Sequence, residues 1–281
     1  MTAISIDGVL VDAEHATISV LDRGLLYGDG LFEVLRTWGG VAVDLGAHLD
    51  RLFASATALA LRTIERTTLA AAVERTVAAA GEGEHRIRIV VTRGPGALGA
   101  TTHTLGPGRA IVIVEPLGEL PDRISAAIVD WPLPLRAGPM HKTLAYLDHI
   151  IARDLARAAG ADEAIRLDVE GQAVEGSTST LYAVSGDTIL TAPTTAGILP
   201  GIVRGRVIAI SERLGIVVRE AAIAIEELRA ADEIFVSSSL RGVVPVTRLD
   251  GAPVAAGPVT ARIAAGLRDE MFALGRHHGP G

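Results

Sequence analysis

Five prolines between positions 116 and 139 (Pro116, Pro121, Pro132, Pro134 and Pro139) interrupt the 281-residue chain near its middle. Proline has no backbone N–H and restrains the residue before it, so neither a long helix nor a central strand is expected to run through this stretch. The chain is therefore predicted to be built in two parts, residues 1–120 and 135–281, joined by an interdomain connection over 121–134. Its length suits two medium domains.

Apolar periodicity fills in both parts. Residues 3–20 alternate short apolar runs with turn signals such as Asp7-Gly8, which predicts a β-hairpin. A second strand pair is expected over 31–45, turning at Gly39-Gly40. Helical spacing of apolar positions predicts helices over 45–60 and 67–80. Segments 86–92 and 110–116 read as strands flanking the glycine-rich loop RGPGALGATTHTLGPG. Beyond the prolines, 143–159 is periodic as a helix, and 163–169, 172–175, 180–184 and 188–191 read as short strands. Another helix is predicted from Gly201 to Leu214, and a strand over 233–237 leads into SSSLRG. Helices and strands are thus mixed in both parts.

Composition excludes several functions. There is no cysteine, so thiolate catalysis, disulfides and thiolate metal sites are absent. No uncharged apolar run approaches the roughly 20 residues of a membrane span, and the first residues lack a basic segment followed by an apolar one, so a soluble cytoplasmic protein is expected. A net charge of -7 without a basic cluster argues against a nucleic-acid partner and for a small molecule. The eight histidines show no metal-ligand spacing, and no metal is expected.

Of 26 basic residues, 25 are arginine and one, Lys142, is lysine; asparagine is absent. GC-rich codon drift explains replacing lysine wherever charge alone matters. An arginine cannot lose its proton, whereas a desolvated lysine amine is a nucleophile toward carbonyls. Chance survival and chemical retention both remain open on this ground, and the neighbourhood decides.

That neighbourhood carries six motifs in order: LDRGLLYGDGLFEVLRTW, HLDRL at 48–52, HKTL around Lys142, VEGSTSTLY, GILPGIVR, and ADEIFVSSS followed by VVPV. Together they resemble the class IV aminotransferases, the fold type IV pyridoxal-phosphate enzymes, over nearly the whole chain. The resemblance implies a small α/β N-terminal domain, a larger β-barrel-like C-terminal domain with helices, and a homodimer, with the loop at 94–108 reaching toward the partner's site.

It also implies roles. Lys142 would carry pyridoxal 5'-phosphate as a Schiff base, and Glu175 would pair with the pyridine nitrogen. Arg51, the backbone N–H groups of Ile202 and Val203, and the hydroxyls of Ser238 and Ser239 would hold the phosphate. Leu199 would pack on the ring. Thr180 stands where asparagine is common, and Val203 where threonine is frequent. Taken alone, Arg51 reads as a solvated surface charge, Glu175 as a strand-end carboxylate, Ser237 to Ser239 as a polar loop, and His141 as structural.

For the substrate, Leu98, Ala100 and Phe32 stand where D-amino-acid enzymes carry arginine, histidine and tyrosine. Arg88, which matches an arginine of the branched-chain enzymes, is the first candidate for the substrate carboxylate; Arg36, Arg136 and Arg241 follow, and each reads equally as a structural ion-pair partner. The activity expected is D-amino-acid transamination, extending to (R)-amines, by a ping-pong exchange with a 2-keto acid. Aminodeoxychorismate lyase, a branched-chain L-amino-acid aminotransferase, and a catalytically silent regulatory protein are the alternatives.

Overall fold

A computed structural model describes residues 1–99, 104, 107–133 and 140–277. By contact the chain divides into two compact units, one of residues 1–118, 141–146 and 271–281, the other of residues 119–140 and 147–270.

The first unit is a six-stranded sheet backed by helices. Its elements are β1 (Ala3–Ile6), β2 (Val9–Val11), α1 (Arg23–Tyr27), β3 (Gly30–Trp38), β4 (Val41–Ala42), α2 (Leu45–Ala58), α3 (Arg66–Ala80), β5 (His85–Thr92) and β6 (Arg109–Pro116). The strands lie in the order β2-β1-β6-β5-β3-β4, and all the pairings are antiparallel. Alternation decides which face is buried. Ile87, Ile89 and Val91 of β5, and Ala110, Val112 and Val114 of β6, point into one core. There they meet Leu49, Leu52 and Ala56 of α2, and Leu69, Val73 and Val77 of α3, which recur at helical spacing. Each large aliphatic side chain so buried contributes about 1.5–3 kcal/mol.

The second unit closes a barrel. It contains β7 (Ile124–Ile128), α4 (Leu147–Ala158), β8 (Glu163–Leu167), β9 (Ala173–Gly176), β10 (Thr180–Ser185), β11 (Thr188–Thr191), α5 (Ile202–Arg213), β12 (Val217–Glu220), α6 (Ile225–Ala230), β13 (Glu233–Ser238), β14 (Gly242–Leu249), β15 (Ala252–Pro253) and α7 (Pro258–His277), whose end from Met271 belongs to the first unit. The order β12-β11-β10-β13-β14-β7-β8-β9 returns on itself because β9 also pairs with β10. Ile165, Leu181, Ile234, Val236 and Val246 fill the centre. The buried Glu233 carboxylate accepts from the N–H groups of Val259 and Thr260, satisfying donors at the start of α7 that have no partner within the helix.

Two expectations change. The stretch 121–134 is not simply a connection: β7 lies within it, pairing in parallel with β8 and with β14. Pro121 precedes this strand and Pro132 follows it, so the proline spacing leaves room for a short central strand. The helix expected from 143 begins at Leu147, because the residues before it bond to β3 instead. Among the described residues no helix is long and apolar enough to cross a membrane.

Candidate active site

In the first unit, Lys142 is held by backbone pairing. The Phe32 N–H donates to the Lys142 carbonyl at 2.9 Å, the Leu144 N–H donates to the Gly30 carbonyl at 3.0 Å, and Thr143 bridges Leu31. The GDG motif makes this approach possible. A Cβ on Gly30 would lie 2.6 Å from Leu144 Cδ1, and one on Gly28 would lie 2.9 Å from the Ala145 nitrogen. Gly28 also ends α1 at φ 64°, a left-handed conformation that glycine adopts freely. Lys142 Nζ lies 4.5 Å from the centre of the Phe32 ring and 5.5 Å from that of Tyr146, and the two rings meet edge to face at 5.1 Å.

A second cation near Phe32 is Arg88, its guanidinium 4.3 Å from the ring centre. It is half-buried, and among the described residues no hydrogen bond or ion pair engages it. Burial, then the neighbouring Arg86, lower its pKa from the usual arginine value, while Tyr146 opposes them.

Arg51 leaves α2 toward β3, where its Nε and Nη2 donate to the two oxygens of Glu33 at 2.8 and 2.6 Å. His48 Nδ1 lies 2.7 Å from the same carboxylate. Residues 48 and 51 are three apart on a helix and so share a face. Glu33 is 1% exposed. Sequence reading missed it, although a lone carboxylate among the apolar residues of GLFEVLRTW signals a buried charge that needs partners. His141 Nδ1 lies 3.0 Å from Ser55 Oγ, a structural contact.

The second unit gathers the other predicted residues at the ends of β9, β10 and β13 and the start of α5. Glu175, at the end of β9, is buried, and its Oε2 accepts weakly from the Leu199 N–H at 3.4 Å. Thr180 pairs with Glu175 on one side and Ser237 on the other. Gly201 caps α5 without a side-chain hydrogen bond, and a Cβ there would lie 3.0 Å from Thr180 Oγ1. The first intrahelical bond runs from the Gly205 N–H to the Gly201 carbonyl, so the N–H groups of Ile202 and Val203 have no acceptor inside the helix. Beneath the strand ends, the Tyr182 hydroxyl lies 3.0 Å from Ser237 Oγ, and complete burial pushes its pKa well up. Tyr182, which the sequence left as a strand residue, stacks on Phe235.

Two substrate candidates are placed differently from Arg88. Arg36 donates to the Thr37 carbonyl and lies over the Trp38 ring, beside Glu84. It stands four residues along β3 from Phe32, or about 13 Å at the rise of a strand. Arg241 is engaged by Glu163 and Thr178. Leu98 is 74% exposed, and Arg136 and Ala100 lie outside the described residues. No group of three acidic or histidine side chains among the described residues is arranged to hold a metal.

The profile of the family Amino-transferase class IV matches residues 30–249. The chain belongs to the class IV aminotransferases. A putative branched-chain-amino-acid aminotransferase of Methanocaldococcus jannaschii is 35% identical over 274 residues, covering 95% of each chain. A D-alanine aminotransferase of Bacillus licheniformis is 29% identical over 277 residues, covering 95% of this chain and 96% of that one. Among solved structures, a branched-chain aminotransferase of the archaeon Thermoproteus uzoniensis, with norvaline, superposes with a TM-score of 0.88 at 35% identity, covering 96% of this chain and 95% of that one. The mixed helix and sheet architecture of this aminotransferase, with its closed barrel, is thus that of the fold type IV enzymes, and its cofactor is theirs, pyridoxal 5'-phosphate.

Proposed function

We propose that this class IV aminotransferase uses pyridoxal 5'-phosphate to move the amino group of a D-amino acid to a 2-keto acid in two half-reactions, with (R)-amines as further donors. The observation that carries the reaction class is the chain's one lysine, fixed by strand-like pairing beside two aromatic rings.

The donor sets suit the cofactor. Uncapped helix N–H groups, the space left by Gly201 and nearby hydroxyls suit a phosphate. A buried carboxylate suits a protonated ring nitrogen, and Lys142 is a primary amine. When bound, pyridoxal phosphate supplies the electron sink that stabilises negative charge at the substrate α-carbon.

The chain's own residues do the rest. Lys142 Nζ would hold the cofactor covalently and, once displaced by the donor amine, move the proton at the α-carbon. Glu175 would keep the ring nitrogen protonated, and Leu199 would pack against the ring. Arg51, the Ile202 and Val203 N–H groups, and Ser238 and Ser239 would hold the phosphate, with Thr180 bordering it. Arg88 would receive the substrate carboxylate over the Phe32 ring, because a half-buried guanidinium without an acidic partner among the described residues favours an incoming anion.

The D-amino-acid reading draws on the D-alanine aminotransferase relatives. A second reading, L-branched-chain transamination, is favoured by the 35% identity to the Methanocaldococcus protein. Ile18, Val20, Leu21, Leu25 and Leu26 expose an apolar face within one short segment, which suits a homodimer. The lack of cysteine suits a cytoplasmic enzyme.

Mixing the loaded protein with D-alanine, D-glutamate, L-leucine, L-valine or an (R)-amine, one at a time, and following cofactor absorbance tests the reading. D-amino acids are expected to convert it fastest. Faster conversion by L-leucine would install the second reading, and no change with any donor would overturn both.

A further inference from the structure

One buried carboxylate anchors two turns that the sequence placed apart. The turn between β13 and β14, Ser239 to Arg241, is closed by the pairing of Ser238 with Gly242. Gly242 takes φ 67°, where a side chain is strained. Inside this turn the Arg241 N–H donates to Ser238 Oγ at 3.3 Å.

The Arg241 side chain leaves the turn for β8. Its Nη2 donates to Glu163 Oε2 at 2.5 Å and to Thr178 Oγ1 at 3.2 Å. Glu163 is fully buried. Its other oxygen accepts from the Ser177 hydroxyl, and Thr178 donates to Oε2 at 3.0 Å. Ser177 and Thr178 directly follow Glu175 and Gly176, so Glu163 ties the turn after Glu175 to the turn that carries Ser239.

A buried pair of this kind seldom adds net stability over apolar packing, because desolvating both charges offsets their attraction. Its directional hydrogen bonds do fix the separation and orientation of the backbones that carry them. In functional sites, such supporting contacts decide whether the residues they carry are held in a productive geometry.

We propose that Arg241 and Glu163 are positioning residues, a buried strut that sets the turn after Glu175 and the Ser238–Arg241 turn at a fixed separation. Arg241 is thereby reassigned from the substrate carboxylate to the support of the cofactor cradle. The proposal rests on the reading that Glu175, Ser238 and Ser239 face the cofactor.

Wild type, Arg241→Met, Arg241→Lys and Glu163→Gln test it, with the pyridoxal phosphate dissociation constant measured by equilibrium dialysis, the donor KM and kcat, and the Tm of the cofactor-free proteins. Arg241→Met and Glu163→Gln should each weaken cofactor binding by about tenfold or more, as losing the outer partner of a metal ligand weakens metal binding by about 10- to 100-fold. The donor KM should stay within about threefold, because the substrate contact is elsewhere. Arg241→Lys, which keeps the charge but not the fork of donors, should fall between wild type and Arg241→Met. If Arg241→Met does not fold, Arg241→Lys and Glu163→Gln carry the same comparison. Unchanged cofactor affinity with a raised donor KM would return Arg241 to the substrate and overturn the strut. A fall in cofactor-free Tm with unchanged affinity would also overturn it, leaving a purely structural pair. If wild type itself fails to bind pyridoxal phosphate, the underlying reading falls together with the strut.

Discussion

Arg51 and Glu33 meet in a two-pronged ion pair, guanidinium Nε and Nη2 on carboxylate Oε1 and Oε2, with His48 on the same carboxylate. Glu33 is almost wholly out of water, so removing either charge leaves the other poorly satisfied. Breaking a buried pair in this way costs about 3–5 kcal/mol. Glu33→Gln should therefore lower unfolding stability by about 3 kcal/mol in urea titrations of the cofactor-free protein. A loss below about 0.5 kcal/mol, the size of an ordinary surface change, would show that the pair contributes little.

The same pair sets a response to acid. Burial alone would raise the Glu33 carboxyl, but the hydrogen bonds from Arg51 and His48 and their charges outweigh it and hold it below the ordinary glutamate range. Glu163 behaves likewise: burial raises it, while Arg241, Ser177 and Thr178 bring it below that range. A carboxyl whose folded pKa is depressed stabilises the fold above its unfolded value, about 4.3 for glutamate, and loses that contribution as pH falls toward the folded value. Unfolding free energy should drop as pH falls below about 4.3, and Glu33→Gln should flatten that drop. Parallel curves for variant and wild type would contradict the assignment.

Gly30 is the residue that admits the lysine segment. A Cβ there would meet the Val91 carbonyl oxygen at 2.5 Å and Leu144 Cδ1 at 2.6 Å, one backbone atom and one side chain packed beside it. Gly30→Ala should push the His141–Tyr146 segment off β3 and so reduce covalent cofactor loading at Lys142 more than it reduces Tm. The ratio of bound-cofactor absorbance to protein absorbance, read beside a thermal melt, checks this. Full loading at unchanged Tm would show that the segment tolerates the side chain.

Much of this was legible in the sequence, for physical reasons that differ from element to element. Strands such as β5 and helices such as α2 carry their periodicity in apolar residues, so both were visible. β7 was hidden because prolines bracket it and it is only five residues long. The start of α4 was misread because Thr143 and Leu144 continue a helical pattern, yet their backbones are claimed by Leu31 and Gly30, a tertiary choice that outweighs local propensity. Lys142 stood out because it is the one lysine, and Glu175 by its spacing from it. Arg36 and Arg241 could not be separated from Arg88 in sequence, because the difference lies in whether a carboxylate or carbonyl among the described residues meets the guanidinium. Tyr146 was missed because its distance from Phe32 depends on that same extended segment.

Arg88 offers the sharpest split between amino-acid and amine donors. A charge-assisted hydrogen bond contributes about 1.5–3 kcal/mol, or roughly 10- to 150-fold in affinity. Arg88→Ala should raise the KM for amino-acid donors by about that factor while changing an (R)-amine without a carboxylate by less than about threefold. Equal losses for both donor classes in steady-state assays would show that Arg88 supports Phe32 and Lys142 instead.

The central claim is that Lys142 carries the cofactor, and one lysine in 281 residues makes the test direct. Borohydride reduction of the protein loaded with pyridoxal phosphate, followed by peptide mass spectrometry, should place the phosphopyridoxyl mass on the peptide containing His141, Lys142 and Thr143, and Lys142→Ala should abolish it. Adduct on the N-terminal amine alone, or its persistence in Lys142→Ala, would contradict the account.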